Sequence, residues 1–565
     1  MLFNIIAITA LIPIASTAPI TATSSPPIVQ IQNGSIQGDY LEKFNQDVFL
    51  GIPYAQPPLG SLRFKPPQSF NDSWNGTKIF NQYSDACIAS GASDNKLLPQ
   101  SENCLTVNVV KPHGVGNENL PVAIWIYGGG FQDGSSSRPA YNLSYIVQNG
   151  VEIGKPFIGV SFNYRLSGLG FLGGQEVVNK GFTNVGLRDQ IQAIHWIHEN
   201  IHQFGGDSDH LVIWGESAGA ISVSKLLSSN QLGDYIKGAI IESGPALFPN
   251  ITSGANEARQ IDYNTLSTYF NCSEATDSLE CLQYVDINEL FHVFNVSNGV
   301  LQTGFRYPYI DGDIIPKSSY QILSDDQSLR VPLLIGTSTD EGSQFVPKNL
   351  NTTEELKEFL KGAFPSLTDS SINKLDELYP IDDPLVSTPL DPSSYSKLPI
   401  SYPPTFGAQY PRLATLYGDL VFFGQSRIMS KFYSQKSPVY KYRFNIPDLE
   451  TSNQSYYGAG HFQEVVYVFD NDQAPIDTSS GATWNPSPKS PAIAESISKI
   501  WVNFIADLNP NVDQTKIPIE TPEWPEYKDG EQNMVFDLNG FYLEKDDKRA
   551  QQIEFIESIN SQLNS

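Results

Sequence analysis

One serine of this 565-residue sequence has the surroundings of an activated nucleophile. Ser217 is the centre of GESAG (215–219), which follows the apolar run HLVIW (210–214) and precedes the helical pattern AISVSKLL. Where a strand turns sharply into a helix through small residues, the serine hydroxyl projects above the sheet at a helix N-terminus, whose positive dipole favours developing negative charge. The G-x-S-x-G pattern also occurs in ordinary turns, but this strand-turn-helix context favours covalent catalysis by Ser217.

A nucleophilic serine needs a base, and the sequence offers two candidates. In enzymes with this elbow the chain order is serine, acid, histidine, so the base lies after residue 217, where only His292 and His461 stand. His292 lies in the apolar stretch ELFHVF, which fits a core histidine. His461 follows Gly458 and Gly460, which indicate a loop able to bring its ring to Ser217. His461 is therefore the predicted base.

The acid that orients the base is expected at the end of a strand between these residues. The run VPLLIG (331–336) continues into TSTDEG, which places Asp340 and Glu341 in a loop leaving the sheet. Spacing alone leaves both carboxylates as candidates.

A glycine cluster can supply the donors for a developing oxyanion. PVAIWIY (121–127) runs into Gly128, Gly129, Gly130 and Phe131. Glycines often mark a plain flexible turn, but N–H groups at a strand end, together with that of Ala218 after the nucleophile, can bind a tetrahedral intermediate.

A competing metal hypothesis comes from His195, His198 and His202, whose spacing places them on one side of a helix. No cysteine or carboxylate cluster nearby completes a site, so we expect neither a metal nor an organic cofactor.

The elements that position these residues alternate between strands and helices. A helix is predicted where Leu187, Ile191, Ile194, Ile197, Ile201 and Phe204 form an apolar stripe. Strand, helix, strand implies a parallel sheet, and continuous apolar runs suit strands buried on both faces. The predicted strands are PVAIWIY (121–127), PFIGVSF (156–162), HLVIW (210–214), GAIIES (238–243), VPLLIG (331–336) and PVYKYRF (438–444). The Pro- and Ser-rich stretch 381–405 is expected to be an excursion within one large domain.

Composition and charge exclude several classes of protein. The 40% hydrophobic and 12% aromatic content supplies a globular core. With 35 basic and 61 acidic residues, the net charge of −26 excludes nucleic acid as a partner and disfavours anionic membrane surfaces.

The N-terminus and the cysteines indicate a secreted protein. Residues 1–17 form a short apolar run followed by small residues, which predicts a cleaved signal peptide and an extracellular location. Later runs are too short to span a bilayer, so no membrane anchor is expected. Sequence order favours the local disulfides Cys87–Cys104 and Cys272–Cys281. The glycosylation sequons begin at Asn33, Asn71, Asn75, Asn142, Asn250, Asn271, Asn295, Asn351 and Asn453.

Long motifs across the chain resemble the type-B carboxylesterase, cholinesterase and fungal lipase family. They include GIPYAQPPLGSLRFKPP (51–67), ENCLTVNVVKP (102–112), WIYGGGF (125–131), NYRLSGLGFL (163–172), NVGLRDQIQAIHWIHENIHQFGGDSDHLVIWGESAG (184–219), TDEGSQF (339–345), GAGHFQEVVYVF (458–469) and WVNFIADLNPN (501–511). The resemblance implies an α/β-hydrolase fold over 18–565: a large, mostly parallel sheet flanked by helices, with insertions near the active site.

The resemblance also implies roles for individual residues. It makes Ser217 the nucleophile and His461 the base, and it selects Glu341 over Asp340 as the acid. It assigns the oxyanion donors to the N–H groups of Gly129, Gly130 and Ala218. It supports both local disulfides and implies an ion pair between Arg63 and Glu102.

Two departures from the family narrow the expected substrate. The 16 residues between Cys87 and Cys104 contain no tryptophan that could hold a choline cation, and they leave little room for a long helical lid. We therefore expect an esterase acting on small-molecule or lipid esters. An interfacial triacylglycerol or sterol-ester lipase and a non-catalytic binding protein are the alternatives. The sequence does not determine acyl length, alcohol or oligomeric state.

Overall fold

The computed structural model describes residues 25–89, 98–116, 118–244, 254, 256–295, 298–383, 403–447, 455–471 and 490–563. The predicted signal peptide (1–17), the sequons at Asn250 and Asn453, half of the loop between Cys87 and Cys104, and most of the stretch 381–405 lie outside these residues.

Sixteen strands are assigned within the described part of the chain. They are β1 Ile28–Ile31, β2 Gly34–Gln37, β3 Asp39–Leu41, β4 Gln46–Pro53, β5 Thr77–Ile79, β6 Ala86–Cys87, β7 Gln100–Ser101, β8 Thr106–Pro112, β9 Leu120–Ile126, β10 Ile158–Phe162, β11 Gly206–Glu216, β12 Ile236–Glu242, β13 Leu333–Ser338, β14 Val439–Asn445, β15 Gln532–Asp537 and β16 Gly540–Lys545.

The central sheet has eleven strands in the order β16-β15-β14-β13-β12-β11-β9-β10-β8-β4-β3. The strands from β15 to β10 in this order run parallel to one another, whereas β16, β8, β4 and β3 join the margins in antiparallel pairs. The six predicted strands all belong to the parallel part, and the mostly parallel sheet is confirmed.

The helices of the described residues flank this sheet and its insertions. They are α1 Leu143–Ile153, α2 Ser167–Phe171, α3 Gln175–Lys180, α4 Val185–Asn200, α5 Ala218–Leu227, α6 Glu257–Tyr269, α7 Ser278–Gln283, α8 Ile287–Phe294, α9 Ser319–Ser324, α10 Thr353–Ala363, α11 Asp369–Leu378, α12 Tyr410–Gly418, α13 Gly424–Tyr433, α14 Val465–Val468, α15 Ser490–Asp507, α16 Ala550–Ser558 and α17 Asn560–Leu563. A π-helical turn, Asp419–Phe423, joins α12 to α13. None of these helices is long and apolar enough to cross a membrane.

The strand order reverses direction at β9, and this reversal places helices on both faces. The chain passes from β9 through α1 to β10 on one side, then returns through α4 to β11 on the other side of β9. Right-handed crossovers in opposite directions place α1 and α4 on opposite faces of the sheet. The predicted stripe from Leu187 to Phe204 is buried along α4 and the 3₁₀ turn that follows it.

Two insertions form smaller apolar clusters beside the main core. Helices α10 to α12, the π-helical turn, α16 and α17 share one cluster. The other surrounds the disulfide Cys272–Cys281 and includes α6 to α8. The second predicted disulfide, Cys87–Cys104, is present too, and next to it Arg63 Nε lies 2.6 Å from Glu102 Oε1.

Candidate active site

The turn between β11 and α5 holds Ser217 in a strained backbone conformation. Its φ of 54° and ψ of −123° lie outside the regions that L-residues normally occupy. The glycine two residues later permits the turn, because a Cβ at Gly219 would lie 1.9 Å from the carbonyl oxygen of Ile126 in β9. The strain and the close contact together lift the Ser217 side chain out of the sheet, where it is half-buried.

The glycine loop after β9 lies directly against this turn. A Cβ at Gly128 would lie 2.9 Å from the Cβ of Ser217. Gly129 and Gly130 have φ of 102° and 63°, which turns the chain around the nucleophile. Among the described residues, neither of their N–H groups donates to a backbone or side-chain acceptor. Ala218 begins α5, so its N–H lacks an acceptor within the helix.

His461 lies in the loop after β14 and bonds to a carboxylate from the loop after β13. Its Nδ1 is 2.6 Å from Oε2 of Glu341, and both side chains are buried. The other oxygen of Glu341 accepts the N–H of Ser338 at 2.7 Å. With one oxygen fixed by the backbone, the carboxylate can hold the imidazole in one orientation.

The structure separates the two acidic candidates that spacing left open. Asp340 accepts the N–H of Ala459 at 2.9 Å, and its own N–H donates to the carbonyl of Ala459 at 2.9 Å. This reciprocal pair ties the Asp340 loop to the loop that carries His461. Glu341 contacts the imidazole, and Asp340 holds the loop.

Buried glutamates surround the base on its other sides. His461 Nε2 lies 3.2 Å from Oε1 of Glu216, the residue immediately before Ser217. Glu464 accepts the hydroxyl of Ser243 at 2.5 Å, and Glu242 accepts indole N–H groups from Trp214 and Trp501 at 2.8 and 2.5 Å.

The pKa values of these glutamates are raised, chiefly because burial disfavours their charged forms. Burial and the charge of Glu341 raise the pKa of Glu464 to about 7. Burial and the charge of Glu464 raise the pKa of both Glu216 and Glu242 well above the usual range. Burial therefore favours the protonated forms of these three carboxyl groups relative to exposed carboxylates.

Aromatic rings pack on the imidazole. The ring centroids of Phe345 and Phe422 each lie 4.9 Å from that of His461. Phe345 is 43% exposed, so an apolar surface opens to solvent beside the base.

The remaining histidines take other positions. The prediction of a core histidine at position 292 is wrong, because His292 lies on the exposed side of the amphipathic helix α8. His195 faces the carbonyl of Gln231, His198 stacks on Tyr235, and His202 faces Gln203. No group of three or more metal-ligating side chains occurs within the described residues.

Sequence reasoning missed several groups that contact the predicted residues. Glu216 and Glu464 lie within the GESAG and GAGHFQE motifs, so their nearness to Ser217 and His461 was a usable signal. Phe422 lies in a helix with no motif, and no local pattern indicates that it contacts His461.

Comparisons with known proteins show a matching family and relatives that cover nearly the whole chain. The sequence model described as the carboxylesterase family matches residues 25–556. Lipase 4 of Diutina rugosa is 31% identical over 94% of this chain and 96% of its own length. A secreted triacylglycerol lipase of Gibberella zeae is 30% identical over 96% of this chain and 92% of its own. The crystal structure of Aspergillus niger EstA superposes with a TM-score of 0.80, at 28% identity, over 96% of this chain and 99% of that one.

Proposed function

Because the chain belongs to the carboxylesterase family and is a carboxylic ester hydrolase, we propose that it cleaves esters through an acyl-enzyme formed on Ser217. The observation that carries this proposal is the 2.6 Å contact between His461 Nδ1 and Glu341 Oε2 at the strand ends where the strained Ser217 also lies. A buried carboxylate on one imidazole nitrogen leaves the other nitrogen to accept a proton.

In the acylation step, the Ser217 oxygen attacks the ester carbonyl carbon while His461 Nε2 takes the hydroxyl proton. The carbonyl oxygen becomes an oxyanion that accepts hydrogen bonds from the N–H groups of Gly129, Gly130 and Ala218. The bond from carbon to the alcohol oxygen then breaks, and His461 gives its proton to that oxygen. The alcohol leaves, and the acyl group remains on Ser217.

In the deacylation step, water attacks the acyl carbon while His461 takes a proton from it. The same N–H groups hold the second oxyanion. The bond from carbon to the Ser217 oxygen breaks, the proton returns to that oxygen, and the carboxylic acid leaves. The Glu341 carboxylate accepts the hydrogen bond from Nδ1 and stabilises the imidazolium in both steps.

We propose that the preferred substrates are dissolved esters with an apolar acyl or alcohol group. The half-exposed ring of Phe345 beside His461 provides an apolar contact for such a group. The second candidate is an interfacial triacylglycerol lipase, which the names of the Diutina and Gibberella relatives favour. The short loop between Cys87 and Cys104 favours the first.

We also propose that the protein is exported and that residues 18–565 form one catalytic domain. The apolar N-terminal run supports export, as does the word secreted in the name of the Gibberella relative. The family match over 25–556 supports one domain.

The test combines labelling with turnover. A fluorophosphonate should label the wild-type protein at Ser217 and leave Ser217→Ala unlabelled, and Ser217→Ala should lose ester turnover by several orders of magnitude. Ordinary turnover by Ser217→Ala would overturn the assignment.

Rate against tributyrin concentration across its solubility limit separates the two substrate classes. Saturation below the limit supports the esterase, and near-zero activity below it with a steep rise above supports the lipase.

A further inference from the structure

A π-helical turn interrupts the helix that lies beside the base. Helices α12 and α13 would form one continuous helix, but between them the N–H of Gly424 donates to the carbonyl of Asp419, five residues back. Such a turn inserts one residue and redirects the side chains around it, and it occurs frequently at functional sites. It also weakens the regular ladder, so other groups must hold it in place.

The first of these groups is an ion pair at the start of the turn. The Asp419 carboxylate is buried and accepts two hydrogen bonds from Arg549, Nε to Oδ2 at 2.6 Å and Nη2 to Oδ1 at 2.7 Å. The hydroxyl of Tyr379 donates to the same carboxylate at 2.7 Å. Arg549 lies immediately before α16, so a residue distant in sequence fixes the Asp419 end of the π turn.

The second group is an amide relay at the other end of the turn. The side-chain amide of Gln425 donates to the carbonyl of Leu420 at 2.8 Å, which supplies a donor to a carbonyl group of the widened turn. Asn560, the first residue of α17, donates in turn to Gln425 Oε1 at 3.1 Å. We call Asp419, Arg549, Gln425 and Asn560 the C-terminal clamp.

Two adjacent rings, Phe422 and Phe423, belong to the π turn. The cationic groups of Arg427, Lys441 and Arg549 lie 5.0, 5.0 and 5.1 Å from the ring centroid of Phe423. The next ring, Phe422, packs on His461 at 4.9 Å and on Phe345 at 5.4 Å.

Helix α12, which precedes the π turn, also contacts the turn that carries Glu341. The hydroxyl of Tyr410 donates to the carbonyl of Ser343 at 2.7 Å, and a Cβ at Gly342 would lie 2.0 Å from the carbonyl oxygen of Ala414. Displacement of this helix would therefore reach both Glu341 and His461.

We propose that the C-terminal clamp positions His461 for proton transfer by holding the π turn that presses Phe422 against the imidazole. This inference rests on the proposed function. The hydrogen bond from Nδ1 to Glu341 leaves the ring free to pivot about that bond, and the Phe422 contact restricts the pivot. An error of about 1 Å in the position of a catalytic group can cost about 100-fold in rate, so the clamp residues are positioning residues that act through Phe422.

The experiment is a double-mutant cycle on the full-length protein with Asp419→Asn and Phe422→Leu. Each single variant should lower kcat about 10-fold, with KM changed less than about twofold, because the imidazole loses its orientation while the substrate contacts stay. The kcat of the double variant should be only slightly lower than that of the less active single variant, because both changes act through one contact. Additive losses, or an unchanged kcat in folded Asp419→Asn, would overturn the proposal.

A matched control separates positioning from stability. Arg63 and Glu102 form an ion pair with the same two nitrogens, at 2.6 and 2.7 Å, away from the π turn. Glu102→Gln should lower the melting temperature and leave kcat unchanged. If Asp419→Asn does not fold, Asn560→Leu tests the clamp from its other end. The same fall in kcat is expected. A wild-type kcat in Asn560→Leu would count against the clamp.

The pre-steady-state burst of p-nitrophenol distinguishes the two levels of failure. Absence of a burst and of phosphonate labelling in the wild-type protein would contradict the proposed function. A wild-type burst together with wild-type turnover in Asp419→Asn would contradict the clamp alone.

Discussion

The two halves of the candidate site are built in different ways, although both lie at the carboxyl ends of neighbouring parallel strands. The nucleophile half, residues 128–130 and 215–219, is shaped by backbone strain and by close backbone contacts that only glycine permits. The acid-base half, residues 338–345 and 456–464, is held mainly by side-chain hydrogen bonds between its two loops. In this half, Gly342 also lies very close to another backbone, at the carbonyl oxygen of Ala414.

Because the two halves are held by different contacts, they should differ in how well they tolerate substitutions. A close backbone contact leaves no space for a Cβ, so the nucleophile half should respond sharply to the smallest change in volume. A network of side-chain hydrogen bonds can lose one member and relax, so single changes in the acid-base half should have graded effects.

The largest expected effect tests whether the two halves act as one unit. Ser217→Ala and His461→Ala should each lower kcat by several orders of magnitude, and the double variant should lose little more, because neither group works without the other. Single-turnover kinetics on a p-nitrophenyl ester measures all three. Independent, multiplicative losses would show that His461 is not the partner of Ser217.

A smaller effect is expected from one added methyl group, and it should depend on which half receives it. Gly219→Ala would place a Cβ 1.9 Å from a backbone carbonyl oxygen, so we expect the elbow to shift and kcat/KM to fall about 100-fold. Gly460→Ala meets the flexible end of Gln344 at 2.8 Å and should cost about tenfold or less. Equal losses of kcat/KM in the two variants would show that the two halves do not differ in their tolerance of an added methyl group.

Loss of the loop tie in the acid-base half should have a moderate effect. Asp340→Ala removes the acceptor of the Ala459 N–H, and the loop that carries His461 should loosen. We expect kcat to fall about tenfold, well short of the roughly 10⁴-fold that loss of the orienting carboxylate costs in serine hydrolases, for which Glu341→Gln is the matched variant. Steady-state kinetics of both variants checks this order, and a reversed order would assign the orienting role to Asp340.

The smallest expected effect concerns pH and stability. Burial raises the pKa of Glu464 to about 7 in the folded protein, against about 4.3 for an unfolded glutamate. Its contribution to stability is therefore fully present below about pH 4.3 and is lost as pH rises through about 7. Glu464→Gln should flatten the fall in melting temperature between pH 5 and 7.5 by a few degrees.

Thermal unfolding across that pH range measures the effect, with the exposed Glu554→Gln as control. A slope that matches the wild type in Glu464→Gln would show that this carboxyl does not hold a proton at neutral pH.

The nucleophile half could be predicted from the sequence because its determinants are local. The residues around Ser217 and after β9 are contiguous, and the need for small residues at an elbow is a property of the backbone itself. The parallel strands were predicted for the same reason, since burial on both faces leaves continuous apolar runs. Strand β15 and its antiparallel partner β16 were missed, because β15 has only a short apolar run, Met534–Phe536, and the burial of β16 alternates only in part.

The acid-base half was only partly predictable because its contacts join distant segments. Spacing could not separate Asp340 from Glu341, and the family resemblance selected the one that bonds to His461. The ring of Phe422 comes from a helix whose position depends on Arg549, and nothing near either residue in the sequence indicates the contact. His292 was misjudged because its apolar neighbours Leu290 and Val293 lie on the buried side of α8, whereas His292 itself lies on the exposed side.

The position of β15 in the sheet has a consequence for biosynthesis. During translation β13 and β14 emerge long before residues 532–537, so the nascent sheet ends at β14 with unpaired N–H and C=O groups. An uncovered parallel edge is a template for pairing with other chains. Until residues 532–537 have been synthesised, the growing protein therefore presents an aggregation-prone edge, which makes chaperone protection most valuable during that interval.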